Sequence, residues 1–461
     1  MKNFLRSFFF IVFACGWVSL WAKPKMNVLF IPVDDLNHWV GYTGRNPQAK
    51  TPNIDRLSKM GVSFSNAHCS APACEPTRAS LFSGLRPSTS GCYLNGHLWK
   101  KYVKEGICLN AHFKDSGYYV MGTGKTYHAS GTSKAAIYAN EWDEYPRLPK
   151  SSTGGASKYQ GYFEPLPLKM KDEDLGDWHS VNYCIEQLGK KRDKPFFLAC
   201  GLIKPHLPWA VPQKYYDMFP RDTIKLPPHL ENDFSDIPKF ARGVGTSGDH
   251  PKFLKSGRWK DAIQSYLATV AFVDVCIGRL LDALEKSPHK DNTVIVLWGD
   301  HGYDVGEKKF AKMALWEQTT RTPLIIHLPE KLGGNSQAKT CARPVSLLDL
   351  YPTLLDLCGL PENPKNEGRS IAPLVRNPKA KWPYPAVITL SPHWLGPNHA
   401  VRSERFHYIN YGKGGEELYE VAKDPHQWHN LANDPAHATT KAKLKQWLPK
   451  KNAPHFRANK Q

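Results

Sequence analysis

The chain has 461 residues, with 61 Lys plus Arg against 42 Asp plus Glu, a formal charge of +19. Its 41% hydrophobic and 22% charged content is ordinary for a globular enzyme, and the length suits one large domain and a smaller one. The positive balance serves solubility as readily as it draws anionic partners. No nucleic-acid-binding motif accompanies it, so nucleic acid is set aside as a partner.

Residues 1–22 read as an export signal. Lys2 and Arg6 start it, an apolar run from Phe8 to Val18 follows, and Ala22 is a small residue before Lys23-Pro24. Val12-Phe13-Ala14-Cys15 faintly resembles a lipoprotein site, but the apolar run continues past Cys15, which favours cleavage and release. The stretch is short for a membrane span and no other segment could cross a bilayer, so stable membrane insertion is not expected. The expected destination is the periplasm or the exterior.

Along the mature chain, short apolar β-rich runs alternate with helical stretches, which argues for an α/β fold with a largely parallel sheet. Asn27 to Val33 reads as a buried strand ending in Asp34-Asp35. Asn53 to Met60 is a predicted helix. Tyr118 to Met121 is a short strand running into Gly122-Thr-Gly-Lys125-Thr-Tyr-His128, and Phe196 to Leu202 runs into Lys204-Pro205-His206. Ser235 to Trp259 is polar and Gly-rich, a surface loop. Asp261 to Glu285 is a predicted helix, and Thr293 to Trp298 a strand ending in Gly299-Asp300-His301-Gly302. Ser346 to Cys358 is again helical. Ligands of open α/β sheets bind at the carboxyl ends of the strands. One charged tip would be a turn; four suggest one shared site.

Pro- and Lys-rich residues 361–381 read as a linker. Tyr384 to Ser391 and the alternating stretch Ala400 to Tyr411 then suggest a smaller antiparallel subdomain, so the expected division is 23–370 and 371–461. Among the ten cysteines, Cys69, Cys92, Cys108, Cys184, Cys200, Cys276, Cys341 and Cys358 are available for pairing in an exported chain. Their spacing forms no zinc pattern. Cys200 and Cys276 lie in apolar runs and read as buried thiols.

The remaining cysteine, Cys74, lies in Cys74-Glu75-Pro76-Thr77-Arg78, followed by Leu81-Phe82-Ser83-Gly84. Pro76 suits the first turn of a helix, which puts Cys74 at a helix N-terminus, where negative charge is favoured. This signature, with Thr51-Pro52-Asn53-Ile54-Asp55-Arg56-Leu57 upstream, resembles the sulfatase family over nearly the whole mature chain. The resemblance implies an alkaline-phosphatase-like α/β sandwich, with a large mixed, mostly parallel sheet flanked by helices and a smaller C-terminal antiparallel sheet.

It also implies that a formylglycine-generating enzyme oxidises Cys74 to an aldehyde. One hydroxyl of the hydrated aldehyde attacks sulfur, and the other, deprotonated, expels sulfate. Asp34, Asp35, Asp300 and His301, with residue 74, would hold one calcium ion. Asp34-Asp35 alone is equally a cap or a turn, and His301 stands where the family more often has asparagine. Arg78 would steady the hydrate, Lys125 and Lys312 would bind sulfate, His128 would take the proton of the second hydroxyl, and His206 would act as acid or sulfate ligand. Tyr303 is a further substrate-binding candidate, and Trp209, His393, Trp394, His399 and Arg402 could shape a sugar pocket or simply pack.

Gly-Lys-Thr-Tyr-His, Lys-Pro-His-Leu-Pro and Phe310-Ala311-Lys312 look like the iduronate-2-sulfatase branch, which implies a sulfated, uronate-containing polysaccharide or oligosaccharide as substrate. Desulfation of ulvan or carrageenan, and phosphodiester or phosphonate monoester hydrolysis, are the competing expectations.

Overall fold

The computed structural model describes residues 26–96, 108–128, 139–149, 166–169, 171–244, 255–308, 310–334 and 338–455. The export signal and Cys15 lie outside the described residues. Among those described, no helix is long and apolar enough to cross a membrane.

Seven strands form the central sheet, in the order Lys339–Cys341, Val62–Phe64, Leu324–His327, Thr293–Gly299, Asn27–Val33, Phe196–Gly201 and Tyr119–Gly124. The last four are mutually parallel. Leu324–His327 runs antiparallel to both its neighbours. Successive strand residues point to opposite faces. Val28, Phe30, Phe197, Val294 and Val296 accordingly enter one core, and Leu29, Ile31, Leu198, Ile295 and Leu297 enter another. A sheet buried on both faces needs near-continuous apolar strands, which is why these runs stand out in the sequence.

Helices Cys74–Ser83, Leu109–Asp115 and Leu350–Cys358 cover the first face. Pro52–Met60, Gly176–Gly189 and Trp259–Glu285 cover the second. The C-terminal strands Ala386–Leu390, Asn398–Arg402, Phe406–Tyr411 and Glu416–Glu420 form an antiparallel meander. Ile388, Leu390, Ala400, Ile409, Tyr411 and Tyr419 share the core of the first face. The expected architecture, a mixed, mostly parallel sheet between helices with a C-terminal antiparallel sheet, is the one observed.

Local differences have local causes. Ala400 to Tyr411 is two strands, because Ser403 closes a turn by donating its N–H to the carbonyl of Phe406 at 2.9 Å. The helix expected from Ser346 starts at Leu350, after a 3₁₀ turn over Leu347–Asp349. There Ser346 Oγ accepts from Leu348 N (3.2 Å) and Asp349 Oδ2 accepts from Ser346 N (2.9 Å). Residues 361–381 include a helix, Ala372–Arg376, and Ile371, Leu374 and Val375 are buried in the main core. The nine described cysteines are free and buried, so the eight other than Cys74, though available for pairing, pack as thiols in the core.

The C-terminal sheet meets the main layer through charge. Arg402 pairs with Glu317, and Trp316 Nε1 donates to Glu417 at 2.8 Å. His407, wholly buried beside this pair, and His38 are each held at about 3 by burial, well below the ordinary imidazole value. Their folded pKa lies under the unfolded one. Their contribution to stability is therefore complete above about pH 6.5 and is lost as pH falls toward 3, by roughly 1 kcal/mol per group per pH unit. Denaturant unfolding should show lower stability at pH 5.5 than at pH 7.5, with a shallower dependence in His407→Gln. A pH-independent midpoint across that window would contradict it.

Candidate active site

The parallel strands are stitched together at their carboxyl ends. Asp34 N donates to Leu202 O (3.1 Å), Asp300 N to Val33 O (3.1 Å) and Lys125 N to Gly201 O (3.0 Å). These bonds bring Asp34, Asp35, Lys125, Asp300 and His301 to one point. Gly201 permits the approach: a Cβ there would lie 2.3 Å from the backbone carbon of Lys125.

Asp35 adopts φ +58°, a region that Asp tolerates better than most residues. Its N–H donates to Asp300 Oδ1 (3.0 Å), and its carbonyl accepts from Tyr266 OH (2.9 Å). The helix Cys74–Ser83 points its first turn at the same place. Its N-cap, Ala73, offers no side-chain acceptor, so the positive end of the helix faces residue 74. Gly84 ends the helix with φ +74°, donating its N–H to Ser80 O (2.9 Å), which explains the glycine that closes the motif.

Cys74 Sγ lies 3.2 Å from His301 Nε2 and 3.5 Å from Lys312 Nζ, with no exposed surface. Burial and the nearby Asp34 push its thiol well above the ordinary value, so an unmodified Cys74 is a poor nucleophile at neutral pH. His301 Nδ1 faces Gly302 O at 2.9 Å, and a carbonyl can only accept. Nδ1 therefore donates there, and Nε2 faces Cys74 and Asp35 Oδ1 (3.3 Å).

Arg78 is wholly buried. It donates to Asp300 Oδ2 (3.0 Å), Asp34 Oδ1 (3.3 Å), and the carbonyls of Lys125 and Thr126 (3.1 Å for the latter). Its bonds go to the carboxylates and to the Lys125 loop rather than to Sγ. Lys125 pairs with Asp34, and Lys312 Nζ lies 2.9 Å from Asp35 Oδ1. Burial alone would raise all three acids. Lys125, His206 and Arg78 hold Asp34 well below the usual range, and Lys312, His206 and His301 lower Asp35. Asp300 is raised, by burial and by Asp34 beside it.

Donor atoms of Asp34, Asp35, Cys74 and His206 cluster within 4.8 Å of one another, as do those of Cys74, Asp300 and His301. Three carboxylates and two imidazoles suit a hard divalent cation. The three acids are already balanced by Arg78, Lys125 and Lys312, so such a cation leaves positive charge to receive an anion.

His206 stands at the rim, its Nε2 3.9 Å from Asp35 and 4.0 Å from Asp34, and its Nδ1 facing Leu207 O at 2.7 Å. Two residues that sequence reasoning missed hold its loop. Asp177 accepts from Ile203 N and Lys204 N, both at 2.8 Å, and Lys204 Nζ donates to Pro208 O. Asp177 reads in sequence only as an acid in a helix's first turn. His128 is held at about 3, by burial first and then by Lys125, and is neutral at physiological pH.

The sugar-pocket candidates divide. Tyr303 and Trp209 are 4% and 2% exposed and pack against Tyr266 (centroids 6.4 and 5.4 Å) behind the aspartates, so neither ring is displayed to substrate. Arg402 is committed to Glu317, and His399 is buried against Thr389. His393 and Trp394 lie exposed in the turn between two C-terminal strands, Trp394 at 52%.

A family model for sulfatases matches residues 26–360. The chain belongs to the sulfatase family. A second model, N-sulphoglucosamine sulphohydrolase, C-terminal, matches residues 299–453. A sulfatase of Formosa agariphila is 39% identical, over 93% of this chain and 87% of its own. An ulvan-active sulfatase of the same organism is 29% identical, over 93% and 81%. Mouse iduronate 2-sulfatase is 27% identical, over 90% and 92%. The phosphonate monoester hydrolase of Agrobacterium radiobacter shares the fold with a TM-score of 0.77 at 20% identity, covering 92% of this chain and 94% of that one.

Proposed function

We propose that this sulfatase removes O-sulfate from a uronate-containing polysaccharide or oligosaccharide, in the manner of an iduronate 2-sulfatase. The observation that carries the reading is the meeting of residue 74, at a helix N-terminus, with three buried carboxylates and two lysines. Residue 74 is proposed to be converted to formylglycine by a modifying enzyme; its hydrate supplies two hydroxyls on one carbon, one to attack sulfur and one to release sulfate. A calcium ion held by Asp34, Asp35, Asp300 and His301 with residue 74 would polarise the sulfate and favour ionisation of the attacking hydroxyl.

Lys125 and Lys312 leave their carboxylates for the sulfate oxygens. Arg78 fixes Asp34 and Asp300 and, through their carbonyls, the Lys125 loop. Neutral His128 takes the proton of the second hydroxyl. His206 donates a proton to the departing sugar oxygen from Nε2: burial holds its pKa down, and a sulfate anion beside it restores it. Export is proposed from the N-terminal segment.

His206→Ala should slow sugar sulfates by on the order of 10²-fold or more while affecting activated aryl sulfates far less, because only poor leaving groups need the proton. Equal losses on both would argue against the acid role. Likeness to an ulvan-active sulfatase supports a second reading, action on that polymer. Desulfation of defined heparan, dermatan, ulvan and carrageenan oligosaccharides, beside a phosphate diester, separates the possibilities. Sulfate release from uronate 2-O positions is expected; a strong phosphodiester preference would overturn the reading.

A further inference from the structure

Lys308 lies between Glu307 and Lys309 in the sequence. Its side chain has no exposed surface. Nζ bonds Asp233 Oδ1 at 2.8 Å and the carbonyl of Gln427. Three rings enclose it: Trp316, Tyr419 and Phe234, with centroids 5.2, 5.7 and 6.0 Å from Nζ. A desolvated ammonium is a costly way to fill such a box, since an apolar side chain would pack there without the penalty.

The backbone around Lys308 is a hairpin tip. Asp304–Val305 pairs antiparallel with Phe310–Ala311. Asp304 Oδ1 accepts from Gly306 N and Glu307 N, both at 2.9 Å, and Oδ2 from Lys308 N at 3.2 Å. The outgoing arm delivers Lys312 to Asp35 and Cys74. Directly after it, Met313 sits at φ +64° with its N–H on Pro72 O (3.0 Å).

We propose that Lys308 is a positioning residue that clamps this hairpin to Asp233 and to the C-terminal segments at Tyr419 and Gln427, so that Lys312 is held over residue 74. The proposal rests on the reading of Lys312 as a sulfate-binding lysine. Outer contacts of this kind typically govern rates by tenfold to a hundredfold, because small displacements of a catalytic group are costly.

The test is a double-mutant cycle on the metal-loaded, modified enzyme, following kcat, KM and melting temperature with an aryl sulfate. Lys308→Met leaves Asp233 buried and unpaired, so Lys308→Met/Asp233→Asn is made beside it as a pair with no stranded charge. The expected result is a kcat lowered about tenfold to a hundredfold with KM little changed, and no further loss when the change is combined with Lys312→Ala. Losses that multiply in the combined variant, or full kcat in Lys308→Met/Asp233→Asn, would reduce Lys308 to a packing role and overturn the proposal. If Lys312→Ala alone leaves the rate intact, the reading of Lys312 falls first, and that single variant shows it.

Discussion

Replacing Cys74 by alanine is expected to lower turnover on the order of 10⁴-fold or more, the scale on which enzymes lose rate when the nucleophile itself is removed. Folding should survive, because the change removes one buried sulfur at a cost of about 1 kcal/mol. Cys74→Ser should be nearly as inactive if its hydroxyl stays unconverted, since a single hydroxyl can attack sulfur but leaves no second one to release the sulfate. Intact mass of the peptide carrying residue 74 supplies an independent readout. The native residue should be lighter than cysteine by the exchange of H₂S for oxygen. Sustained turnover by the alanine variant would remove residue 74 from the mechanism, and an intact thiol in active protein would remove the aldehyde.

The second large effect is expected at Asp300. Its carboxylate accepts from Arg78 Nε, Asp35 N and His301 N, all at 3.0 Å, while lying among the donor atoms around residue 74. Asp300→Asn keeps the shape and removes the charge. Bound divalent ion should fall when measured by elemental analysis, and rate should fall at least about a hundredfold. Breaking one limb of a buried ion pair costs several kcal/mol in general. Here the loss should be about 3 kcal/mol or less, because Arg78 keeps Asp34 and two carbonyls. Unchanged ion content together with an unchanged rate would exclude Asp300 from the site.

The strand-tip groups around residue 74 were legible from chain order, whereas Arg78 and Lys312 came from the resemblance to sulfatases. Four apolar strands each end in a charged or imidazole group, and the backbone bonds at Asp34, Lys125 and Asp300 make those ends coincide. The same logic fails where a side chain's partner is distant in sequence. Nothing local distinguishes Arg402, neutralised by Glu317, from an arginine open to a sugar carboxylate. Nothing local separates Tyr303, stacked behind the aspartates, from a ring lining a pocket. Lys308 and Asp177 were missed for this reason too: each gains its meaning from a segment dozens of residues away. The packed helix Ala372–Arg376 is a smaller failure of the same kind, in which burial overrides a composition that reads as linker, while the turn at Ser403 rests on one backbone hydrogen bond.

The complete enclosure of residue 74 also sets an order of events in the life of the protein. Its sulfur belongs to the first residue of a helix whose ten residues are all buried, Cys74 to Ser83. With no exposed surface at residue 74, a modifying enzyme would need that helix opened to reach the atom. Whatever chemistry another protein performs on residue 74 therefore belongs to the nascent or unfolded chain. On the proposed conversion of residue 74, a molecule that folds before it is modified is expected to stay inactive, and the active fraction of a preparation would follow a race between maturation and folding.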